Sequence, residues 1–469
     1  TSVTGIGTGQ TTGTVTVTPA GPTEGTVRGV AISKTSYDTY GPPDHDQIAA
    51  GVDANDANVA WGSEFTKSFL STVSPGWTFS RASSQTYEKS DGTLGTVTSG
   101  NPAFTYSGGT AQGVLLEGAR TNLLKYSEQF DNAAWTKNAA TISATNITAP
   151  DGNATADTLK ADAGTATLPR FADTSVNVTA GPMTVSVYAK AGTYTYVQVY
   201  LNNNVTEWVN FDLSGGTASA NGSSTATITP VGEATGWYRL TMTYTAAGTD
   251  RRPFIMLGAS ASATRAQAWS PVGTETVHFS GTQLEVGSFA SSYIPTTTAS
   301  VTRAATSLAR PWNFPSNNFS GQIKVRPQFA YNDSKGAYYN IVIAEYNTDN
   351  YFRIAVNPTN DVIYVTRRVA GTSAEAATSS GELNYANGEL LNIRFRADTT
   401  GVYLWVDDSN SSTVDSCTSA DCKTSFSNRP TEIRFLSAAG SASTLLPGVV
   451  ESLTIYNEAK SDAFLEALE

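Results

Sequence analysis

Residues 183–189 read MTVSVYA, a stretch in which apolar and polar side chains alternate. Residues 196–201, YVQVYL, and residues 237–245, WYRLTMTYT, repeat the pattern. A period of two residues is typical of an antiparallel strand that packs one face on a core. Several such strands, separated by turns rich in Gly, Asn and Thr, predict a β-sandwich that extends to about residue 300.

A second run of strand candidates begins after residue 311. Its members are NIVIAEY, YFRIAVN, DVIYVTRR, LNIRFRAD, GVYLWVDD, TEIRFLS and VVESLTIYN. They predict a second all-β unit that continues to the end of the chain. The closing stretch SDAFLEALE predicts a short helix, because Ser461 can cap its start. Phe464, Leu465 and Leu468 would then share one face of that helix.

The predicted fold class is all-β, with two antiparallel β-sandwiches of jelly-roll or lectin-like type behind an irregular N-terminal region. The expected parts are an N-terminal arm and attachment region (1–75), a sandwich with lead-in strands (76–300), a linker (301–311) and a second sandwich (312–469). In the first part, the spacing of four between Ala57, Trp61, Phe65 and Phe69 predicts a short helix. Residues 1–35 either pair with a partner chain by strand addition or form a flexible lead-in.

Composition argues against several classes of function. Hydrophobic residues are 39% of the 469, and 21 Tyr, 18 Phe and 8 Trp supply the volume of packed cores. Lys and Arg number 29 against 40 Asp and Glu, and no basic run is longer than a pair. We expect no nucleic-acid ligand, because such binders need a clustered positive surface. We also expect no membrane insertion, since no apolar stretch approaches the roughly 18 residues that span a bilayer.

The only two cysteines, Cys417 and Cys422, lie in the segment DSCTSADCKTS. One pair at this spacing cannot supply the four ligands of a structural zinc site. A small surface disulfide that closes a hairpin loop is favoured over two free thiols. Such a disulfide would stabilise the fold only slightly, because the loop that it closes is short.

The chain has few residues typical of catalytic centres. His278 lies in a strand candidate, TVHFSGTQLE, where a structural role is expected. His45 lies between Asp44 and Asp46, a cluster that would need a third, distant ligand to hold a metal ion. No nucleophile elbow, HExxH, Walker loop or dinucleotide fingerprint occurs.

Glycoside cleavage would need two carboxylates about 5 to 9.5 Å apart. The acids that stand out in the strands are Glu117, Glu285, Glu345 and Asp407. Each is expected to be a solvated or salt-bridged strand residue. A catalytic pair brought together only by the fold remains an open alternative.

A carbohydrate-binding surface is the better prediction. Sugar rings stack on aromatic side chains, while amides and carboxylates bind their hydroxyl groups. If Val197, Val199 and Leu201 face the core, the opposite face of that strand is exposed. The candidate site residues are Tyr196, Gln198 and Tyr200 on that face, with Asn202, Asn204 and Trp208 beside it. The open alternative is that these aromatic residues pack against a neighbouring domain or subunit.

Residues 113–137, GVLLEGARTNLLKYSEQFDNAAWTK, are expected to be scaffold rather than a catalytic segment. They predict an edge strand and a turn, with Leu115, Leu123 and Leu124 in the core. Glu117 and Arg120 are expected to pair locally. Trp135 is expected to fill the base of the sandwich.

This segment resembles one that recurs in bacteriophage tail and virion-surface proteins. FSRASSQTYEKSDGTL (79–94) looks like the lead-in to that module, and GTQLEVGSFASSYIPT (281–296) resembles its closing strand and exit. The module is similar to the galactose-binding-like sandwiches of carbohydrate-binding modules. The resemblance implies a sugar-binding sandwich and, as in many related sandwiches, a structural calcium ion without assigned ligands.

Residues 319–469 resemble a concanavalin A-like, laminin-G-type sandwich. FSGQIKVRPQF looks like its first strand, GVYLWVDD like its central hairpin, and PGVVESLTIYNEAKSDAFLEALE like its last strand and terminal helix. The E-x-D-x-E pattern of laminarinase-like sandwiches and the strand motifs of jelly-roll alginate lyases are absent. The resemblance therefore implies a lectin-like tail rather than one of these enzymes.

Together, the resemblances imply a non-enzymatic phage structural protein, a tail fibre, spike or capsid decoration at the virion surface. We expect it to bind a host-surface glycan and other virion proteins and to form a homo-oligomer, with a trimer favoured. No cofactor is expected to be required. The alternatives are a polysaccharide depolymerase or lyase, and a cement protein of the capsid or tail that binds no sugar.

Overall fold

A computed structural model gives the conformation of most of the chain after residue 75. The residues that it describes are 64–68, 76–173, 176, 180–202, 206–232, 235–246, 252–311, 318–328, 339–357, 362–377, 388–407, 412–417, 423, 426, 428, 430–435, 448–456 and 459–468. Contacts divide the chain into a unit of residues 1–60 and a unit of residues 61–469.

The first seven strands precede the first sandwich. They are β1 (Glu64–Ser68), β2 (Thr78–Ser80), β3 (Gln85–Glu88), β4 (Leu94–Val97), β5 (Phe104–Ser107), β6 (Thr110–Leu116) and β7 (Arg120–Asn122). Strands β3 and β4 form a separate antiparallel hairpin.

The first sandwich consists of two six-stranded sheets. Its strands are β8 (Trp135–Asn138), β9 (Ala140–Ile147), β10 (Ala156–Ala161), β11 (Arg170–Asp173), β12 (Gly181–Ala191), β13 (Tyr196–Leu201), β14 (Trp208–Asp212), β15 (Thr217–Asn221), β16 (Thr225–Val231), β17 (Trp237–Ala246), β18 (Pro253–Leu257) and β19 (Thr276–Val286). One sheet has the order β16-β17-β12-β19-β10-β9, and the other has the order β15-β14-β13-β18-β11-β8.

The three alternating stretches of the sequence form β12, β13 and β17, as predicted. Their inward side chains, Val185 and Val187, Val197 and Val199, and Leu240 and Met242, lie in one buried core between the sheets. Trp135 belongs to the same core, where its ring packs edge-on against Phe130 and Phe171.

The second sandwich uses the remaining strands. They are β20 (Val301–Arg303), β21 (Ser307–Pro311), β22 (Phe319–Pro327), β23 (Tyr339–Asn347), β24 (Asn350–Asn357), β25 (Val362–Val369), β26 (Thr372–Ala377), β27 (Leu391–Ala397), β28 (Val402–Asp407), β29 (Ser412–Cys417), β30 (Glu432–Phe435) and β31 (Gly448–Tyr456). The predicted terminal helix is α1 (Asp462–Glu466), capped by Ser461, whose side chain accepts a hydrogen bond from the Phe464 amide. These elements confirm the all-β fold class.

Two sheets enclose the core of the second sandwich, and strands from the start of the chain extend both. One sheet has the order β29-β28-β27-β22-β31-β6-β5, and β1 also pairs with β31. The other has the order β2-β21-β30-β23-β24-β25-β26. Strands expected to lead into the first sandwich thus hydrogen-bond to the second. The four-part division of the chain stays a prediction. It does not include this pairing between the early strands and the second sandwich.

Close approach of β6 to β31 requires a glycine. The φ angle of Gly113 is +126°, a conformation that side chains disfavour. A Cβ atom at Gly113 would lie 2.2 Å from the carbonyl oxygen of Val450. The backbones therefore pair at this register only because residue 113 has no side chain.

Two local expectations differ from the structure. Glu64–Ser68 is a strand, where the spacing of Phe65 predicted a helix, because this segment pairs along β31 from Ser452 to Tyr456. The rest of that helical prediction lies outside the described residues. The expected linker contains β20, which pairs with β7, and β21, which joins a sheet of the second sandwich.

Candidate functional site

The outward face of β13, predicted to bind sugar, is largely covered. Gln198 is 0% exposed and Tyr200 is 2% exposed, so the expected exposure of these two side chains is wrong. The loop between β18 and β19 lies over them. Gln198 donates to the Thr264 carbonyl oxygen and accepts from the Ala266 amide, at 3.0 and 2.6 Å.

The rest of the predicted site lies around this loop. Tyr196 is half-buried, with its ring 5.7 Å from that of Tyr194, and Asn202 is also half-buried. The half-buried Trp208 donates through Nε1 to the carbonyl oxygen of Ala263. Asn204 lies outside the described residues. A role of these residues in sugar binding stays a prediction. The loop covers Gln198 and Tyr200, so that only the half-buried residues around them remain partly exposed.

The cysteine and metal expectations are only partly covered by the described residues. Cys417, at the end of β29, is disulfide-bonded, and its expected partner Cys422 lies outside the described residues, as does His45. His278 hydrogen-bonds through Nδ1 to the Thr158 hydroxyl at 2.8 Å, and its burial beside Lys190 lowers its pKa. Across the described part of the chain, no group of three His, Cys, Asp or Glu side chains could hold a metal ion. The calcium ion stays a prediction.

The other outer face of the first sandwich forms a cleft with a volume of about 670 Å³. We call it the threonine cleft. Its floor consists of side chains on β16 and β17 that point away from the core: Thr225, Thr227, Thr229, Arg239, Thr241 and Thr243. Strand register places Thr229 opposite Arg239, and Thr227 opposite Thr241. Two neighbouring strands thus present paired hydroxyl groups in rows across the floor.

Most of these hydroxyl groups make no hydrogen bond to the described residues. Within the described residues, those of Thr225, Thr227, Thr229 and Thr241 make no hydrogen bond, and none is a buried unpaired atom. The Thr243 hydroxyl differs, because it lies 2.9 Å from that of Thr184 on β12. A hydroxyl group both donates and accepts, so the floor can bind a ligand that does the same.

The β3–β4 hairpin forms one wall of the threonine cleft. Tyr87, Glu88 and Leu94 line this wall, and the segment after β19 contributes Phe289 to the lining of the cleft. The hairpin turn meets the β16–β17 turn where a Cβ atom at Gly92 would lie 2.5 Å from the Cα atom of Gly232. Glycines at these turns therefore let the wall close onto the edge of the floor.

Arg239 is the cation of the cleft floor. Its Nη2 group donates to the Ser186 hydroxyl and the Ser291 carbonyl oxygen, at 2.9 and 2.7 Å. Its guanidinium carbon lies 5.6 Å from the centre of the Tyr188 ring. Arg239 has no ion pair with a carboxylate among the described residues, and its Nε atom is buried without a hydrogen-bond partner.

Glu88 is the acid of the cleft wall. Burial raises its pKa to about 7, although a hydrogen bond from the Gly108 amide acts in the opposite direction. It is therefore partly protonated near neutral pH. The neutral form of a carboxyl group can donate a hydrogen bond, which the ionised form cannot.

Glu117, the second acid of the cleft, belongs to a buried network. The expected pairing with Arg120 is wrong, because Glu117 forms an ion pair at 3.0 Å with Arg303, 186 residues further along the chain. Gln85 and Ser292 also donate to its carboxylate. Burial raises the pKa of Glu117, but Arg303 and these hydrogen bonds outweigh that effect and hold it below its ordinary value. Local pairing fails because the turn directs the two side chains towards different strands.

Arg120 instead lies 3.8 Å from Glu285, a fully buried acid of β19. Asn122 reinforces the junction by donating to the carbonyl oxygens of Thr282 and Ile294. Residues 117–122 thus connect the end of β6 to the first sandwich. The expectation that this stretch is scaffold agrees with these contacts.

The remaining acids that stood out in the sequence are also paired. Glu345 bonds to Arg434, and Asp407 bonds to Arg394. Both pairs join neighbouring strands of the second sandwich. The expectation of salt-bridged strand residues is confirmed for these two acids.

Sequence reasoning missed the threonine cleft, although its signal was present. TATIT in β16 and RLTMT in β17 place Thr at every second position. The apolar half of this alternation predicts the core residues, and its polar half forms the floor of the cleft. The contribution of the β3–β4 hairpin had no signal in the sequence, because it depends on packing between distant segments.

Comparisons with known proteins give no family assignment. No family model and no curated protein matches the chain. Among solved structures, a tailspike protein of an Escherichia coli O157:H7 bacteriophage matches at 11% identity and a TM-score of 0.25, over 32% of this chain and 21% of that one. Domain 4 of an arabinanase from Geobacillus stearothermophilus matches at 10% identity and 0.27, over 38% and 81%. Mouse laminin α1 domains LG4-5 match at 7% identity and 0.22, over 74% and 92%. At such TM-scores these likenesses are too weak to support an argument about function.

Proposed function

We propose that the threonine cleft binds an oligosaccharide. The observation that supports this most is the set of four threonine hydroxyl groups without partners among the described residues, on a floor beside Arg239. Each sugar hydroxyl can donate to one such group and accept from another. Apolar sugar faces would contact the half-buried rings of Tyr87 and Phe289. The volume of about 670 Å³ suits a short oligosaccharide.

We further propose that this binding serves attachment, in a virion-surface protein that does not cleave its ligand. Three phage-like motifs in order along the sequence support that role. Residues 79–94 supply most of the β3–β4 hairpin, residues 281–296 supply Phe289 and its neighbours, and residues 113–137 supply Leu115 and Glu117. All three motifs thus contribute residues to the proposed site.

A glycan array with the purified protein tests the binding proposal, followed by titration calorimetry of the strongest ligand. The double variant Thr227→Val, Thr241→Val removes two floor hydroxyl groups at nearly constant volume. We expect it to lose most of the affinity. Thr217→Val on β15, an exposed edge strand of the other sheet, is the matched control and should bind like the wild type. No binding across host-derived glycans, or equal binding by both variants, would contradict the proposal.

Glycan cleavage is a second candidate, and the raised pKa of Glu88 favours it. A carboxyl group that titrates near pH 7 is suited to act as a general acid. Glu117 is a poor second catalytic acid, because it is 2% exposed and both of its oxygens accept hydrogen bonds. We therefore favour binding without cleavage. New reducing ends from a bound polysaccharide, abolished in Glu88→Gln, would reverse that preference.

A further inference from the structure

Arg239 differs from Arg303 and Arg120, two other arginines close to the cleft. Arg303 pairs with Glu117, and Arg120 pairs with Glu285. Arg239 makes its hydrogen bonds to neutral oxygens, those of Ser186 and Ser291. Among the described residues, no carboxylate lies within ion-pair distance of it. The cleft floor thus holds a positive charge that the surrounding fold leaves uncompensated.

The net charge of the whole chain is opposite in sign to that of Arg239. Acidic residues exceed basic ones by 11, so a negatively charged ligand is repelled by most of the molecule at long range. A half-buried guanidinium has lost part of its hydration, and a carboxylate is the partner that compensates this most strongly. An uncharged ligand would compensate the lost hydration of the guanidinium less strongly.

One nitrogen of the Arg239 guanidinium is left for a ligand. Nη2 is occupied by Ser186 and Ser291, and Nε is buried. Nη1 makes no hydrogen bond within the described residues and is absent from the buried unpaired atoms. Since Arg239 lines the cleft, Nη1 is the group that can meet a ligand there. Thr229 lies directly opposite on β16 and can donate its hydroxyl to the same ligand group.

We propose that the threonine cleft selects an acidic saccharide, whose carboxylate pairs with Arg239 while neighbouring sugar hydroxyls bind the threonine rows. The proposal rests on the proposed sugar-binding function and adds the ligand class. A uronic acid has the required chemistry, a carboxylate fixed to a ring that carries several hydroxyl groups.

The test compares two ligands that differ only in charge. Uronic acid trisaccharides of several linkages are titrated into the full chain alongside their carboxyl-reduced, neutral forms. We expect the acidic form to bind at least about tenfold more tightly, since a charge-assisted hydrogen bond is stronger than a neutral one. Raising the salt concentration should weaken the acidic ligand and leave the neutral one nearly unchanged.

Variants of Arg239 test whether this residue causes the preference for the acidic trisaccharide. Arg239→Gln should lower the affinity for the acidic trisaccharide much more than that for the neutral form, so that the preference for the acidic form is lost. Arg239→Lys, which keeps the charge but loses the planar fork, should retain part of the preference. Neutral binding and the thermal midpoint report whether each variant is folded.

The possible outcomes distinguish a failure of acidic specificity from a failure of sugar binding. Equal binding of acidic and neutral trisaccharides, or an unchanged preference in folded Arg239→Gln, would overturn the acidic specificity and leave sugar binding intact. Failure of both forms to bind, in every linkage, would overturn sugar binding as well. If only Arg239→Gln fails to fold, the salt dependence of the wild type and the Arg239→Lys result still decide the question.

Discussion

Both outer faces of the first sandwich carry polar side chains, but their surroundings in the fold differ. Gln198 and Tyr200 on β13 lie under a loop that satisfies or covers their polar groups. Thr227 and Thr241, on β16 and β17 of the other sheet, line a cleft with their hydroxyl groups free within the described chain. Alternation predicts which side chains point away from the core. Whether these side chains are exposed to solvent or covered by protein depends on tertiary packing.

The loop-covered face therefore should contribute to stability, and the threonine cleft to binding. Substitutions in the two faces, and in the network behind the cleft, test this difference in role.

The largest effect is expected from the buried pair behind the cleft. Glu117→Ala leaves Arg303 buried without a counter-charge, so unfolding should become easier by about 3–5 kcal/mol. Chemical denaturation measures this change. Lys89→Ala, which removes an exposed pair with Asp91, is the control and should leave stability nearly unchanged. Similar losses in both variants would show that the network does not hold the cleft wall.

Removing the central amide of the loop-covered face should come next. Gln198→Leu removes the hydrogen bonds that Gln198 makes with the Ala266 amide, the Thr264 carbonyl oxygen and the Asn210 side chain. This loss should lower the free energy of unfolding by roughly 1–3 kcal/mol. Glycan affinity, measured on the folded fraction, should stay the same. A clear loss of affinity without a loss of stability would move the binding site back to the face predicted from the sequence.

The opposite pattern is expected for one floor hydroxyl. Thr241→Val should lower glycan affinity by roughly three- to tenfold, as expected for one hydrogen bond, with almost no change in the thermal midpoint. Calorimetric titration and thermal unfolding of the same sample give both values. A lower midpoint with unchanged affinity would reverse the roles of the two faces.

The last expected effect is a pH dependence, which should be no larger than the effect of Thr241→Val. Glu88 has a free-state pKa of about 7, and an acidic ligand in the same cleft favours its protonated form. Affinity for that ligand should therefore fall roughly three- to tenfold as pH rises from about 6 to about 8. The other charged or titratable groups around it are Lys89 beside it in the chain, Tyr188 on β12, Arg239 on β17, Glu117 after β6 and Glu128. Tyr188 has a raised pKa and stays neutral in this range, and Glu117 stays ionised.

Glu88→Gln is the control for this prediction, because it cannot titrate. The variant should bind the acidic ligand with nearly the same affinity at both pH values. If the pH dependence persists in the variant, another group is responsible and Glu88 does not face the ligand.

Local patterns were sufficient to predict the sandwich strands. Val185, Val187 and Leu240 are buried where alternation placed them, and Ser461 caps the terminal helix. Strand β1 could not be predicted, because its conformation follows from pairing with β31 near the other end of the chain. Short-range spacing indicated a helix there, and long-range hydrogen bonding decided otherwise.

The candidate site was harder to predict for the same reason. The partner of Glu117 is 186 residues away, and no local rule selects Arg303 over Arg120. The burial of Tyr200 depends on a loop that begins after β18, more than 50 residues later. Composition indicated that the chain can bind sugars, whereas the location of the cleft depends on contacts that only the fold creates.

A crystal structure of the protein with the strongest glycan from the array would show whether the threonine cleft binds sugar. We expect sugar density between the β3–β4 hairpin and the rows of Thr227 and Thr241, with ligand oxygens within hydrogen-bond distance of both hydroxyl groups. Density against Tyr196 and Trp208, with the threonine cleft empty, would contradict it.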